Sequence, residues 1–109
     1  MSACTHLEFV YTPEFIDSVE DLLTAEELRA LECALLDHPE SGALVPGTGG
    51  VRKVRFALPG GGKSGGARVL YVYSKRACRM YFLLAYPKNV RETLGQGEKN
   101  ALRKWVQTL

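Results

Sequence analysis

Hydrophobic and polar residues alternate in the middle of the chain, and this period-two pattern predicts β-strands. Residues 51–58 show it most clearly: Val54 and Phe56 fall on one side, while Lys53 and Arg55 fall on the other. Such a segment buries one face and leaves the other for solvent or a partner.

Two further strands are predicted directly after this one. Residues 67–74 are apolar on both sides apart from Arg68, which is typical of a strand in the centre of a sheet, and residues 79–86 are predicted to form another largely buried strand. The segment between them, 75–78, is short enough to be a hairpin turn. Because both faces of residues 67–74 are apolar, the sequence leaves open which face Arg68 occupies.

The flanking segments carry helical signals. Thr24 and Glu27 have the spacing of a capping box, and leucines at helical intervals follow them. The elements predicted outside the three strands are a strand at 6–11, a short helix at 14–19, a helix from 24 to about 37 and a last helix at 97–108. The order β-α-α-β-β-β-α predicts a single α+β domain over residues 1–109, an antiparallel sheet with helices mainly on one face.

Composition narrows the class of protein. Of the 109 residues, 46% are hydrophobic and 24% are charged, which is ordinary for a folded globular chain. Neither a membrane span nor a secretory leader is predicted, so we expect a cytoplasmic protein without a membrane partner. Cys4, Cys33 and Cys78 are widely spaced and are expected to be reduced thiols. His6 and His38 lack companions at metal-ligand spacing, so no metal or other cofactor is expected.

Charge is distributed unevenly along the chain. Residues 51–91 hold ten Lys or Arg and no acid, whereas residues 1–50 hold ten acids and one base, so the net charge of +2 conceals a cationic middle. Lys53 and Arg55 share a strand face, and Arg68 lies on the neighbouring strand. Clustered like charges repel until an anion binds, which favours a phosphate-binding surface. A solvated outer face or a protein-binding face is the alternative.

A glycine-rich segment at 60–64, GGGKS, invites comparison with a phosphate-binding loop. The pattern needs a glycine where this chain has Ala57, and it needs a helix immediately after the loop, where this chain has a strand. We therefore interpret the segment as a glycine-rich loop between strands, and the alternative is a loop whose Lys63 contacts a nucleic-acid backbone.

Further candidates lie at the end of the last strand and among the strand residues. Lys88 and Arg91 follow Pro87, where crowding by positive charge makes a lysine a better proton-transfer group. Tyrosines in the strands can stack on bases, with core packing as the alternative. The residues taken as RNA-binding candidates are Arg52, Lys63, Arg91 and Tyr86.

Three segments together resemble the RelE/HigB toxins of bacterial toxin–antitoxin systems, in particular the HigB-like branch. They are VRKVRF at 51–56, GKSGGARV at 62–69 and YPKN at 86–89, followed by a helix. The resemblance implies a small RelE-like α+β ribonuclease that enters the ribosomal A site, cleaves mRNA and inhibits translation. It implies no metal, because in this family a ribose 2′-hydroxyl attacks the adjacent phosphate and basic residues assist.

The resemblance also implies roles for single residues and for partners. Lys53 and Arg55 would hold the backbone and help activate the hydroxyl, Arg68 would stabilise charge on the scissile phosphate, and Lys88 would transfer a proton. Residues 92–94 offer no tyrosine where RelE has one, so the general acid stays open. The implied partners are the ribosome, mRNA and a neutralising antitoxin with a helix-turn-helix domain, through which operator DNA is bound.

Two other functions remain compatible with the same basic face. One is a non-catalytic module that binds RNA or the ribosome, and the other is a corepressor that acts only when bound to its antitoxin.

Overall fold

The computed structural model describes residues 6–56, 66–87 and 94–109. In chain order the elements are β1 (Glu8–Tyr11), α1 (Pro13–Val19), α2 (Ala25–Asp37), β2 (Ala43–Leu44), β3 (Val51–Phe56), β4 (Ala67–Ser74), β5 (Arg79–Pro87) and α3 (Gln96–Val106). This is the predicted order with one addition, the two-residue strand β2. The α+β class predicted from the sequence is confirmed.

The strands form one five-stranded sheet in the order β1-β5-β4-β3-β2. The three pairs β2–β3, β3–β4 and β4–β5 are antiparallel, whereas β1 lies parallel to β5 at one edge. A parallel pair requires a long crossover connection, and here both N-terminal helices and the other strands lie between the two partners in sequence. The sheet is therefore mixed.

Both N-terminal helices begin at residues with capping side chains. At α1, Thr12 Oγ1 accepts a hydrogen bond from Phe15 N at 3.1 Å, and Pro13 occupies the first turn, where its missing N–H is no loss. At α2, Thr24 Oγ1 accepts from Glu27 N at 3.1 Å while Glu27 Oε1 accepts from Thr24 N at 2.8 Å. The predicted capping box is thus confirmed.

The helices divide between the two faces of the sheet. On one face, α1 and α2 bury a core that contains Phe15, Leu31, Leu35, Val69, Tyr71, Met80 and Phe82. On the other face, α3 packs through residues that include Leu102, Trp105 and Val106 onto Val51, Leu70, Val72, Tyr81 and Tyr86. Two helices therefore share one face as predicted, and α3 covers part of the second, which is called the α3 face below.

Helix α3 also lies against the turn that joins β2 to β3. Gly47, Gly49 and Gly50 in this turn all have positive φ, which only glycine adopts without strain. A Cβ on Gly49 would lie 3.2 Å from Arg103 Cγ, so the close approach of α3 also requires a residue without a side chain. Thr48 is fully buried between the glycines. The turn and α3 therefore form one packed unit.

Strand β5 contains a bulge. Leu70 on β4 pairs with Leu84, but the next residue of β4, Tyr71, pairs with Phe82. Leu83 is thus left without a partner in the ladder, and the alternation of side chains along β5 shifts by one residue at this point.

The bulge decides which side chains at the end of β5 reach the α3 face. After it, Ala85 belongs to the core under α1 and α2, and Tyr86 belongs to the α3 face. Helix α1 occupies the edge of β5 beyond the end of β1, because Thr12 Oγ1 donates to Phe82 O at 3.0 Å and Ser18 Oγ accepts from Ala85 N at 2.9 Å. These bonds satisfy backbone groups of β5 that no neighbouring strand covers.

Two expectations drawn from composition can be compared with the described residues. Cys33 is free and exposed, but Cys78 is disulfide-bonded, so the expectation of three reduced thiols is wrong at Cys78. None of the helices in the described parts of the chain has the length and apolar character required to cross a membrane.

Candidate nucleic-acid interface

Two arginines and a tyrosine form a row across the α3 face of the sheet. Arg55 on β3 lies opposite Arg68 on β4, and Arg68 lies opposite Tyr86 on β5. Neighbouring strands are about 4.8 Å apart, so the two guanidinium groups arise from adjacent positions. The neighbours of Arg68 along β4, Ala67 and Val69, belong to the core under α1 and α2. Arg68 therefore points to the α3 face, with Leu70 and Val72. The structure thus resolves the face of Arg68 that the sequence left open.

Lys53 lies in the next row of the same face. It is two residues from Arg55 along β3, a distance of about 6.7 Å, and it pairs with Leu70. Val51 begins the row beyond, and that row lies under α3. Lys53 and Arg55 are exposed and Arg68 is half-buried, so the three cations occupy the part of the α3 face that the helix leaves accessible.

These cations have no acidic partner in the described part of the chain. The one ion pair found there joins Arg79 Nε to Glu8 Oε1 at 2.9 Å, at the β1–β5 edge. Like charges directly opposite each other in an antiparallel pair are destabilising, and Arg55 and Arg68 are such a pair. An anion bound between them would remove the repulsion, and the planar guanidinium groups suit bidentate contacts to phosphate oxygens.

Arg52, predicted to bind RNA, lies on the opposite face of β3. Its Nη1 donates to Glu40 O at 3.0 Å and to Gly42 O at 2.7 Å. The buried Tyr71 holds the same connector, donating from its hydroxyl to Pro39 O at 2.8 Å and accepting from Gly42 N at 3.0 Å. Burial raises the pKa of Tyr71, which keeps this hydroxyl protonated as a donor. We therefore assign Arg52 to the connector at 39–42 and leave it out of the interface.

The remaining predicted residues differ in what the structure says of them. Tyr86 lies in the row of Arg55 and Arg68, but it is only 6% exposed, so it has little surface for stacking on a base. The candidates Lys63, Lys88 and Arg91 lie outside the described residues. Their roles stay predictions.

Two cations that the sequence analysis passed over also belong to this side of the protein. Lys99 and Arg103, one helical turn apart on α3, lie against the glycine turn at 47–50 that leads into β3. Residues 92–109 are nearly balanced in charge, which is why composition drew no attention to them. The available signal was their spacing of four residues on a stripe next to the apolar anchors of α3.

Comparison with known families assigns the chain. The family described as the RelE toxin of the RelE / RelB toxin-antitoxin system matches residues 37–109, which are 73 of the 109 residues. The match runs from the end of α2 to the C-terminus and includes Lys53, Arg55 and Arg68. Toxins of this family are generally mRNA-cleaving proteins that work with an antitoxin. The HigB-like branch stays a prediction. The chain therefore belongs to the RelE family of toxins from toxin–antitoxin systems.

Proposed function

We propose that this protein is a ribosome-dependent mRNA endonuclease that cleaves mRNA in the ribosomal A site without a metal ion. The observation that carries the proposal is the cross-strand pair of Arg55 and Arg68, two cations with no acidic partner in the described residues. They form a rigid site for one phosphate on an accessible sheet face. Like charges that destabilise the free protein until an anion binds, such as those of Arg55 and Arg68, are typical of a functional site.

In the proposed reaction, the ribose 2′-hydroxyl loses its proton to water, and its oxygen bonds to the adjacent phosphorus as the bond from phosphorus to the 5′-oxygen breaks. Negative charge builds up on the non-bridging oxygens of the phosphate in the transition state. Arg55 and Arg68 would donate hydrogen bonds to those oxygens, and their fixed positions on neighbouring strands avoid reorganisation during the reaction. Losing one such donor typically costs about 3 kcal/mol, or a factor of 10² to 10³ in rate.

Lys53 would stabilise the attacking 2′-oxygen, since it lies one row from the arginine pair on the same face. An ammonium group there lowers the energy of the developing 2′-alkoxide. Proton transfer to the 5′-oxygen is assigned to Lys88, a role that rests on the family resemblance alone.

A requirement for the ribosome is consistent with the small size of this surface. Among residues 6–56, 66–87 and 94–109, three cations of the strands and one largely buried tyrosine supply few contacts for holding a single strand, and base stacking by that tyrosine contributes little. The ribosome would therefore supply the positioning that converts weak binding into efficient cleavage. We further propose that an antitoxin with a helix-turn-helix domain neutralises the protein and carries it to operator DNA.

The test is cleavage mapping of a defined mRNA with the purified protein, with and without programmed ribosomes. We expect cuts at the A-site codon that require ribosomes and that slow by at least about 10²-fold in Arg68→Ala. The matched control is Arg29→Ala, because Arg29 is exposed on α2, which packs on the other face of the sheet. Ribosome binding is measured in parallel for both variants.

Other outcomes would point to other functions. If naked RNA were cut as fast as mRNA on ribosomes, the protein would be an endonuclease that does not require the ribosome. An absence of cleavage by the wild-type protein, with ribosome binding retained, would favour the non-catalytic module.

A further inference from the structure

We propose that Lys99 and Arg103 of α3 form a second binding site for RNA backbone, which holds nucleotides flanking the cleaved bond. The site is called the α3 ridge and consists of these two side chains and the glycine turn at 47–50. It rests on the proposed function in one respect, that the bound strand is the strand to be cleaved.

The stems of both side chains are fixed by packing on the turn. Lys99 Cδ lies 3.5 Å from the position that a Cβ would have on Gly47, and Arg103 Cγ lies 3.2 Å from that position on Gly49. Arg103 Nη1 is also 3.5 Å from Gly47 O. Both residues are half-buried, and neither has an acidic partner among the described residues. Fixed stems reduce the conformational entropy lost when the charged ends bind a phosphate.

The ridge is continuous with the candidate interface along β3. The glycine turn leads directly into Val51, and Lys53 and Arg55 follow on the same face as Val51. The four residue-to-residue steps from Val51 to Arg55 span about 13 Å, the length of about four nucleotides of a stacked strand at about 3.4 Å each. One strand can therefore contact both the arginine pair and the ridge.

A cavity of ≈ 330 Å³ lies between α3 and strands β4 and β5. It is lined by apolar residues such as Leu70 and Leu84 together with Glu14 and Glu98. Leu70 pairs with Lys53, so the cavity borders the cationic surface. Carboxylates repel a phosphate backbone, which favours a strand that runs from the arginine pair towards the ridge and away from the cavity.

The test measures binding of uncleavable RNAs, which carry a 2′-deoxynucleotide at the reacting position, without ribosomes. A trinucleotide is compared with RNAs extended by about five nucleotides on the 5′ or the 3′ side. For a single strand, each phosphate contact makes the slope of log K against log salt more negative by about 0.7, where K is the association constant. Two additional contacts therefore predict an affinity advantage of the long RNA that falls about sevenfold when salt is raised fourfold.

The double variant Lys99→Gln, Arg103→Gln should lose this salt-dependent advantage and bind both RNAs as the wild-type protein binds the trinucleotide. The control Lys104→Gln removes one positive charge from an exposed position of the same helix and should keep the advantage. Urea unfolding of all variants establishes that each is folded under the binding conditions.

Two results would overturn the proposal: no advantage of either extended RNA with the wild-type protein, or an unchanged advantage with the double variant. Tighter binding of only the 5′-extended or only the 3′-extended RNA would support the proposal and would give the direction in which the strand runs. Because binding is measured without ribosomes and without cleavage, failure of the ridge leaves the cleavage assay unaffected. Failure of ribosome-dependent cleavage would likewise leave the binding result standing.

Discussion

Arg52 and Lys53 are neighbours in sequence with opposite surroundings, and removing their charges should have opposite effects. Arg52 faces away from α3 and donates two hydrogen bonds to the connector at 39–42. Lys53 is exposed on the α3 face and forms no ion pair among the described residues. The substitutions Arg52→Met and Lys53→Met keep most of each apolar stem and remove each charge.

The size of each effect follows from the contacts. Hydrogen bonds to a charged donor contribute about 1.5–3 kcal/mol each, and the contact to Glu40 O is exposed while that to Gly42 O is partly buried. Discounting the exposed contact, Arg52→Met should lower the free energy of unfolding by about 2 kcal/mol, or about 8 °C in Tm for a domain of this size. Lys53→Met should change it by less than about 0.5 kcal/mol.

The two readouts are urea unfolding and RNA binding as a function of salt. Arg52→Met should shift the urea midpoint and leave the salt slope unchanged, whereas Lys53→Met should leave the midpoint unchanged and reduce the slope by about 0.7. Cleavage on ribosomes should fall in Lys53→Met only. The reasoning is refuted if Arg52→Met weakens RNA binding at unchanged stability, since Arg52 would then contact the RNA.

Four further substitutions test packing and burial elsewhere in the protein. Tyr71→Phe removes a buried hydroxyl with two backbone partners and should destabilise the protein by about 2 kcal/mol in urea unfolding, with no change in the salt slope of RNA binding. Gly49→Ala places a Cβ at positive φ and against Arg103, and should lower Tm by the equivalent of about 1–2 kcal/mol, whereas Gly97→Ala meets no atom within 4 Å and should raise Tm slightly. Burial raises the pKa of Glu32 above its usual 4.5, so the folded protein disfavours the charged carboxylate. The free energy of unfolding therefore falls as the pH rises from 4.5 through the raised pKa. Glu32→Gln should therefore raise Tm at neutral pH, and a gain that persists well below pH 4 would contradict this explanation.

The period-two pattern of β3 was the most informative signal in the sequence. It separated Lys53 and Arg55 from Val54 and Phe56 correctly, and the structure keeps that separation. The same alternation puts Arg52 on the side of Val54. Arg52 was selected as an RNA-binding candidate by its charge alone, and that role stays a prediction. The alternation of a strand assigns its side chains to the two faces correctly where one face is polar.

Other features of the site depend on contacts that no local pattern contains. Arg68 could not be assigned to a face because β4 is apolar on both, and only the helices on either side distinguish them. Tyr86 reaches the row of Arg68 because Leu83 is unpaired, and the bulge is stabilised by Ser18 from a distant helix. Lys99 and Arg103 join the cationic side only through the docking of α3 on the glycine turn.

The parallel pairing of β1 with β5 also sets the order in which the protein can assemble during synthesis. Glu8 pairs with Arg79, a residue made 71 positions later. At about 5–20 residues per second, the first strand waits about 4–14 s for its partner. During this interval α1 and α2 can form from their local signals, while Phe9 has no sheet to pack against. Strand β1 is thus translated well before β5 but completes its pairing only with it, and a chain arrested before Arg79 would expose an unpaired apolar strand.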